Sequence, residues 1–241
     1  MINHAVINGT TLDFMREPYT SMPADELLSY FQTRNGVRYL PLSRGTHLNV
    51  ERAEKILKHE FDFNNEVYQL PENFDWKANP SRDIEWLILL HKFYYAKDLA
   101  GAYDYTGDEK YTKKWMELVS SWIRNVPDGF INSQVTGRRL QQWLLAYHYF
   151  VPGKRSAAIT PSFLVELFRS VHSQTLYLCE HLTPEGNHRT IELYSIFLVA
   201  VVFHELQESA WLLEFAKQEL LKNLEQDLLE DGVHRELSTD Y

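Results

Sequence analysis

Ser81-Arg82-Asp83-Ile84-Glu85-Trp86-Leu87-Ile88-Leu89-Leu90-His91-Lys92-Phe93-Tyr94-Tyr95-Ala96-Lys97-Asp98-Leu99-Ala100-Gly101-Ala102-Tyr103-Asp104-Tyr105-Thr106 carries the pattern on which the fold reading turns. Ile84, Leu87, Ile88, His91, Tyr95, Leu99 and Ala102 recur every three or four positions, the spacing that puts side chains on one face of an α-helix. Ser81 reads as the N-cap, Asp83 as a first-turn acid that suits the helix dipole, and Thr106-Gly107 as the stop. One helix is therefore predicted from Ser81 to Thr106.

Working outward, Asp108 can cap a second helix bearing Tyr111, Trp115, Leu118, Val119 and Trp122. A third is expected over Val135 to Phe150, after the polar loop Pro127-Asp128-Gly129, and a fourth from Thr160-Pro161 to about His181. Two more, near Arg189 to Leu206 and Ser209 to Glu230, form a hairpin that Asp231-Gly232 ends. Upstream, residues 1–75 read as a wrapping segment full of turn signals. Short helices are expected near Ala24 to Phe31 and Val50 to His59, and Phe61, Phe63, Tyr68 and Leu70 alternate as an extended piece does. Short connections force neighbouring helices to pack antiparallel, and no convincing strand follows residue 76. The expected fold class is all-α, an incomplete α/α toroid of antiparallel helical hairpins, with residues 76–241 as its body.

The 241 residues suffice for one large core. With 14 Tyr, 13 Phe and 6 Trp, the chain has ample rings for a core and for sugar platforms. A net charge of -9 argues against a nucleic-acid or anionic-membrane partner, although a locally basic cleft could still hold a polyanion. The lone Cys179 sits among Leu176, Tyr177 and Leu178 and reads as an inert thiol. Met1 to Phe14 does not read as a secretory leader, and the apolar run Ile196 to Phe203 is too short to span a bilayer. The sequence shows neither a metal signature nor a phosphate-cradling loop, so no cofactor is expected. Gly-x-Ser-x-Gly is absent, and no opposed carboxylate pair of the glycosidase kind stands out.

Three places could carry chemistry. Asn187, in Gly186-Asn187-His188, reads either as an N-cap or as a neutral donor toward a substrate carboxylate, with His188 as a neighbouring contact. Tyr241 ends the run Asp231-Gly232-Val233-His234-Arg235-Glu236-Leu237-Ser238-Thr239-Asp240-Tyr241, and the hairpin before it folds this run back toward Asn187. A phenol needs nearby cations to serve as a base at neutral pH, and His234 and Arg235 stand close in sequence. Arg139 and Trp143, four apart, share a helix face, where they either stack on each other or grip an acidic sugar. Tyr241 is an odd place for a domain to stop, and a truncated chain is expected.

From Phe74 onward the chain resembles the helical N-terminal domain of the heparinase II/III type of polysaccharide lyases. The resemblance rests on Phe74-Asp75-Trp76 before Asn79-Pro80, Leu99-Ala100-Gly101-Ala102-Tyr103, Thr106-Gly107-Asp108-Glu109-Lys110-Tyr111, and Ser121-Trp122-Ile123. It continues through Gly137-Arg138-Arg139-Leu140-Gln141-Gln142-Trp143, Gly186-Asn187-His188, and Asp231-Gly232-Val233-His234 with Glu236, Ser238 and Tyr241. Ile131 and Val135 stand where that family tends to carry a Trp and an acid. The resemblance implies a toroid followed by an antiparallel β-sandwich, together cutting acidic polysaccharides such as heparan sulfate by β-elimination next to a uronic acid, in a periplasmic or exported protein.

By matched position, Asn187 would neutralise the uronate and Tyr241 would be the catalytic phenol, a further histidine base coming from the β-sandwich, which lies outside this chain. His188, Arg139, Trp143 and Glu236 would contact substrate. The isolated chain is then expected to be inactive. The competing reading is a non-catalytic glycan-binding or helical scaffold domain.

Overall fold

The computed structural model describes residues 12–34, 43–229 and 235. Its helices are α1 (Ala24–Thr33), α2 (His47–Leu57), α3 (Ile84–Lys92), α4 (Ala96–Thr106), α5 (Glu109–Asn125), α6 (Ser133–Phe150), α7 (Pro161–Glu180), α8 (Gly186–Val202) and α9 (Ser209–Asp227). A hairpin of β1 (Glu60–Phe63) and β2 (Glu66–Gln69) pairs Phe61 with Tyr68, and its turn residues Asn64 and Asn65 both hold positive φ, 51° and 61°. Asparagine tolerates that conformation better than most residues.

The single helix expected over Ser81 to Thr106 is two helices. Phe93 adopts left-handed geometry, φ 60° and ψ 27°, and breaks the run. Such a residue costs on the order of 1–3 kcal/mol. The offset is aromatic packing: the Phe93 ring stacks on Trp76 at 5.5 Å and meets Trp143 edge-on, also at 5.5 Å, with Tyr95 at 5.0 Å. The cap is also shifted. The Asp83 carboxylate accepts from the Glu85 amide at 3.0 Å, while Ser81 lies further upstream and accepts from the Asp83 amide at 2.9 Å. Three further expected marks hold: Gly107, at φ 71°, ends α4, Asp108 caps α5, and the Thr160 hydroxyl accepts from the Phe163 amide ahead of α7. The expected stop at Asp231-Gly232 lies outside the described residues, and α9 ends earlier, at Asp227.

Contacts between the helices fix the topology. Tyr103 of α4 meets Phe150 at the end of α6, and Phe93, just before α4, meets Trp143 about two turns earlier in α6, so α4 and α6 run the same way. Ser133 reaches Glu192 and Tyr147 reaches Phe203, which makes α8 parallel to α6. These two approach closely at Gly137, where a Cβ would stand 3.1 Å from Ser195 Oγ and 3.3 Å from Glu192 Cα. On the other side α5 and α7 run in the opposite direction, with Trp115 against Phe150 and Phe168 against Tyr147. Parallel inner helices backed by reversed outer ones are the double wall of an incomplete α/α toroid, as the sequence leads one to expect.

The N-terminal residues share this core. Phe31 of α1 packs edge-on against Phe168 at 4.5 Å, and Phe61 and Ile56 are buried. Met15 bridges Leu206, and Arg34 pairs with the fully buried Glu205 and donates to the Val202 carbonyl. These contacts fasten the start of the chain to the α8–α9 turn. No helix among the described residues is long and apolar enough to cross a membrane.

Candidate functional site

Because α4, α6 and α8 run in one direction, their N-termini share one rim of the toroid, where free backbone N–H groups favour negative charge. The start of α8 is the most elaborately held of the three. Gly186 takes φ 83°, a conformation that suits glycine, and follows Glu185, which occupies the cap position without a capping side-chain bond. Asn187 is therefore not the N-cap. It lies in the first turn of α8, half-buried, and His188 beside it is exposed.

Two clusters lock that turn. Glu192 is fully buried and accepts from Ser133 Oγ, Thr183 Oγ1 and the Thr183 amide, each at 2.7 Å, joining the starts of α6 and α8 to the loop between α7 and α8. Arg189 donates to the Thr183 carbonyl at 2.8 Å and to Glu219 of α9 at 2.6 Å. From α9, the buried Asn223 donates to Gly186 O, Thr190 Oγ1 and Asp227 Oδ2. The amide of Arg235 then donates to the Asp227 carbonyl at 2.7 Å. Arg235 thus stands at the C-terminal end of α9. His234, Glu236 and Tyr241 lie outside the described residues.

Arg139 and Trp143 are both fully buried and have no surface to offer a polysaccharide, which corrects the expectation of a sugar-gripping pair. They do not stack on each other either. The Arg139 guanidinium lies 3.9 Å over the ring of Trp122 on α5 and donates to Gln174 Oε1 at 2.8 Å, Thr136 Oγ1 at 3.1 Å and the His91 carbonyl at 3.3 Å. Burial lowers its pKa to about 9, so the side chain remains a cation at neutral pH. This buried charge sits one to two turns below the rim.

Cys179, expected to be inert, is half-buried, and burial pushes its thiol up to about 12. Among the described residues no group of three or more His, Cys, Asp and Glu side chains is placed to hold a metal ion.

Several residues that shape the rim escaped the sequence reading. Asn223 and Asp227 continue the buried stripe of Leu212 and Ala216 along α9, so polar residues at apolar positions were the available signal. Ile131, just before α6, holds φ 77°, a strained value for a β-branched residue, and nothing local in the sequence announces it.

Comparison with known proteins accords with this geometry. A heparin-sulfate lyase of Pedobacter heparinus is 30% identical over 201 residues, covering 79% of this chain and 30% of the relative. A heparin-sulfate lyase of Bacteroides stercoris is 25% identical over 250 residues, covering 90% of this chain and 37% of the relative. The chain therefore spans about a third of the length of these curated relatives. Among solved structures, the heparan sulfate lyase HepC of Pedobacter heparinus superposes with a TM-score of 0.75 at 26% identity, covering 88% of this chain and 36% of that one. A heparinase III structure gives 0.79 at 21% identity, a likeness of fold. The sequence model of one family, described as Heparinase II/III N-terminus, matches residues 12–241, and the chain belongs to that family.

Proposed function

We propose that this chain is the helical part of a polysaccharide lyase that cleaves uronic-acid-containing chains of the heparan sulfate kind by β-elimination. The observation that supports the reading is the rim at Asn187, where Asn223 of α9 holds the first residue of α8 and the Arg235 amide donates to the carbonyl of Asp227, one turn further along α9.

The chemistry follows from the uronate. Its C5 proton is only weakly acidic while the neighbouring carboxylate carries full charge. A carboxamide donor on that carboxylate, set at a helix N-terminus, stabilises the charge that develops when the proton leaves. A base takes the C5 proton, the C4–O bond breaks, a C4–C5 double bond forms, and an acid protonates the departing glycosidic oxygen. In this reading Asn187 neutralises the uronate and the Tyr241 phenol is the acid, with His188 and Glu236 as substrate contacts. A β-sandwich beyond this chain supplies a further histidine base, and the parent protein is exported to meet its substrate.

The test is to incubate the longer parent protein and this chain separately with heparan sulfate, chondroitin, hyaluronan and alginate while following unsaturated-uronate absorbance. The reading expects the signal from the parent on at least one uronate polymer and none from this chain alone. A parent silent on all four counts against it and favours a non-catalytic glycan-binding module.

A further inference from the structure

Glu192 lies on α8 a little more than one turn past Asn187 and is fully buried. Its hydrogen bonds all come from neutral donors, and among the described residues no Lys, Arg or His side chain pairs with it. Burying a carboxylate without a cation is costly, and an apolar residue of similar size often serves stability as well or better. What the carboxylate adds is two acceptor oxygens at a fixed separation. Oε1 accepts from the hydroxyls of Ser133 and Thr183, and Oε2 accepts from the Thr183 amide, each at 2.7 Å.

These donors sit where they bear on Asn187. Thr183 belongs to the loop that leads from α7 into α8, and Ser133 opens α6, the neighbouring inner helix. The Thr183 carbonyl in turn accepts from Arg189 at 2.8 Å, so the amide, hydroxyl and carbonyl of this one residue are all tied to α8. Between Thr183 and the helix, Pro184 has no N–H to anchor and Glu185 makes no capping bond with its side chain. Residues 183–186 are therefore held at their two ends, by Glu192 and Arg189 at Thr183 and by Asn223 at the Gly186 carbonyl. Asn187 follows directly, half-buried, and where its carboxamide stands depends on where that loop delivers the helix.

We propose that Glu192 is a positioning residue for the elimination: it fixes residues 183–186 against the start of α6 and so keeps the Asn187 carboxamide in register with the uronate. The proposal rests on the role given to Asn187 above. Glu192 itself, without exposed surface, does not touch the substrate. Misplacing a group by about 1 Å at a reacting centre can cost on the order of 100-fold in rate, so a loosened loop tells on turnover.

The experiment measures kcat and KM of the longer parent protein on heparan sulfate for Glu192→Leu, Glu192→Gln and Thr183→Val, each alone and combined with Asn187→Ala. Glu192→Leu should lower kcat by about 10–100-fold with a smaller change in KM. Glu192→Gln should recover most of that loss, because its Oε1 can accept from the Thr183 amide while its Nε2 donates to the two hydroxyls. Thr183→Val removes a single donor at a half-buried position and decides the matter if Glu192→Leu does not fold; a fall in kcat of about fivefold is expected, the effect of one hydrogen bond. In the Asn187→Ala background neither Thr183→Val nor Glu192→Leu should lower kcat further, whereas a merely structural role would lower it equally in both backgrounds. Loss of rate in Asn187→Ala with none in Thr183→Val overturns this proposal alone, as does full additivity of the two changes. An Asn187→Ala parent at the full rate overturns the catalytic reading and this proposal with it.

Discussion

Asn223 Nδ2 lies 3.3 Å from the carbonyl oxygen of Gly186, so the last helix holds the first residue of α8 from beneath. The same amide also reaches Thr190 and Asp227, and Asn223 is only 1% exposed. Replacing it by leucine leaves a buried carboxylate and a hydroxyl without their donor. A stability loss of about 1–3 kcal/mol is expected in urea unfolding. In the longer parent, turnover should fall together with stability, whereas Asn187→Ala should lower turnover by more than its effect on stability explains.

Arg139 makes its bonds with neutral acceptors and the Trp122 face, and no carboxylate pairs with it among the described residues. Arg139→Gln should cost about 2–5 kcal/mol, because Gln174 and Thr136 lose their partner and the ring loses its cation. Arg139→Lys should recover only part of this, since an ammonium cannot reproduce the flat fork of donors. Thermal unfolding of the three proteins side by side checks the order.

His91 predicts the acid limit of the fold. Trp122 Nε1 can only donate, so His91 Nδ1 accepts from it at 3.0 Å, and Nε2–H donates to the Trp76 carbonyl at 2.8 Å. The ring is thereby fixed as neutral, and burial lowers its pKa to about 4 from the ordinary 6.5. The unfolded chain binds the proton more readily. The stabilisation is therefore fully present above about pH 6.5 and drains away as pH falls toward 4, with a total on the order of 3 kcal/mol. Urea midpoints at pH 7.5 and 4.5 should show this fall, and it should shrink in His91→Gln.

Ile131 offers a cleaner backbone test. Ile131→Ala and Ile131→Gly both remove the branched part of the side chain, but only glycine, without a Cβ, is at ease at φ 77°. The glycine variant should be the more stable of the two by about 1 kcal/mol. Equal stability would mean that the loop relaxes to an ordinary conformation.

Much of the fold was legible because its signals are local. Gly107, Asp108 and Thr160-Pro161 mark helix ends by chemistry that acts within one turn. The break at Phe93 was not legible, since neither Gly nor Pro marks it and its offset comes from Trp76 and Trp143, far away in sequence. Arg139 was misread for a related reason. Its four-residue spacing to Trp143 is real, but the stacking partner is Trp122, and spacing along one helix says nothing of what a neighbouring helix brings. Asn187 was placed within one turn of its true position, while the support beneath it, from Asn223, Glu192 and Arg189, depends on helices packing together.

The most direct test of the central claim is the rate of unsaturated-uronate formation from heparan sulfate by the longer parent protein and by its Asn187→Ala variant, at matched folding. Loss of a preorganised donor to developing charge should cut kcat by about 100-fold or more in protein that remains folded at the assay temperature. An Asn187→Ala protein that turns over heparan sulfate at the parent's rate would contradict the account.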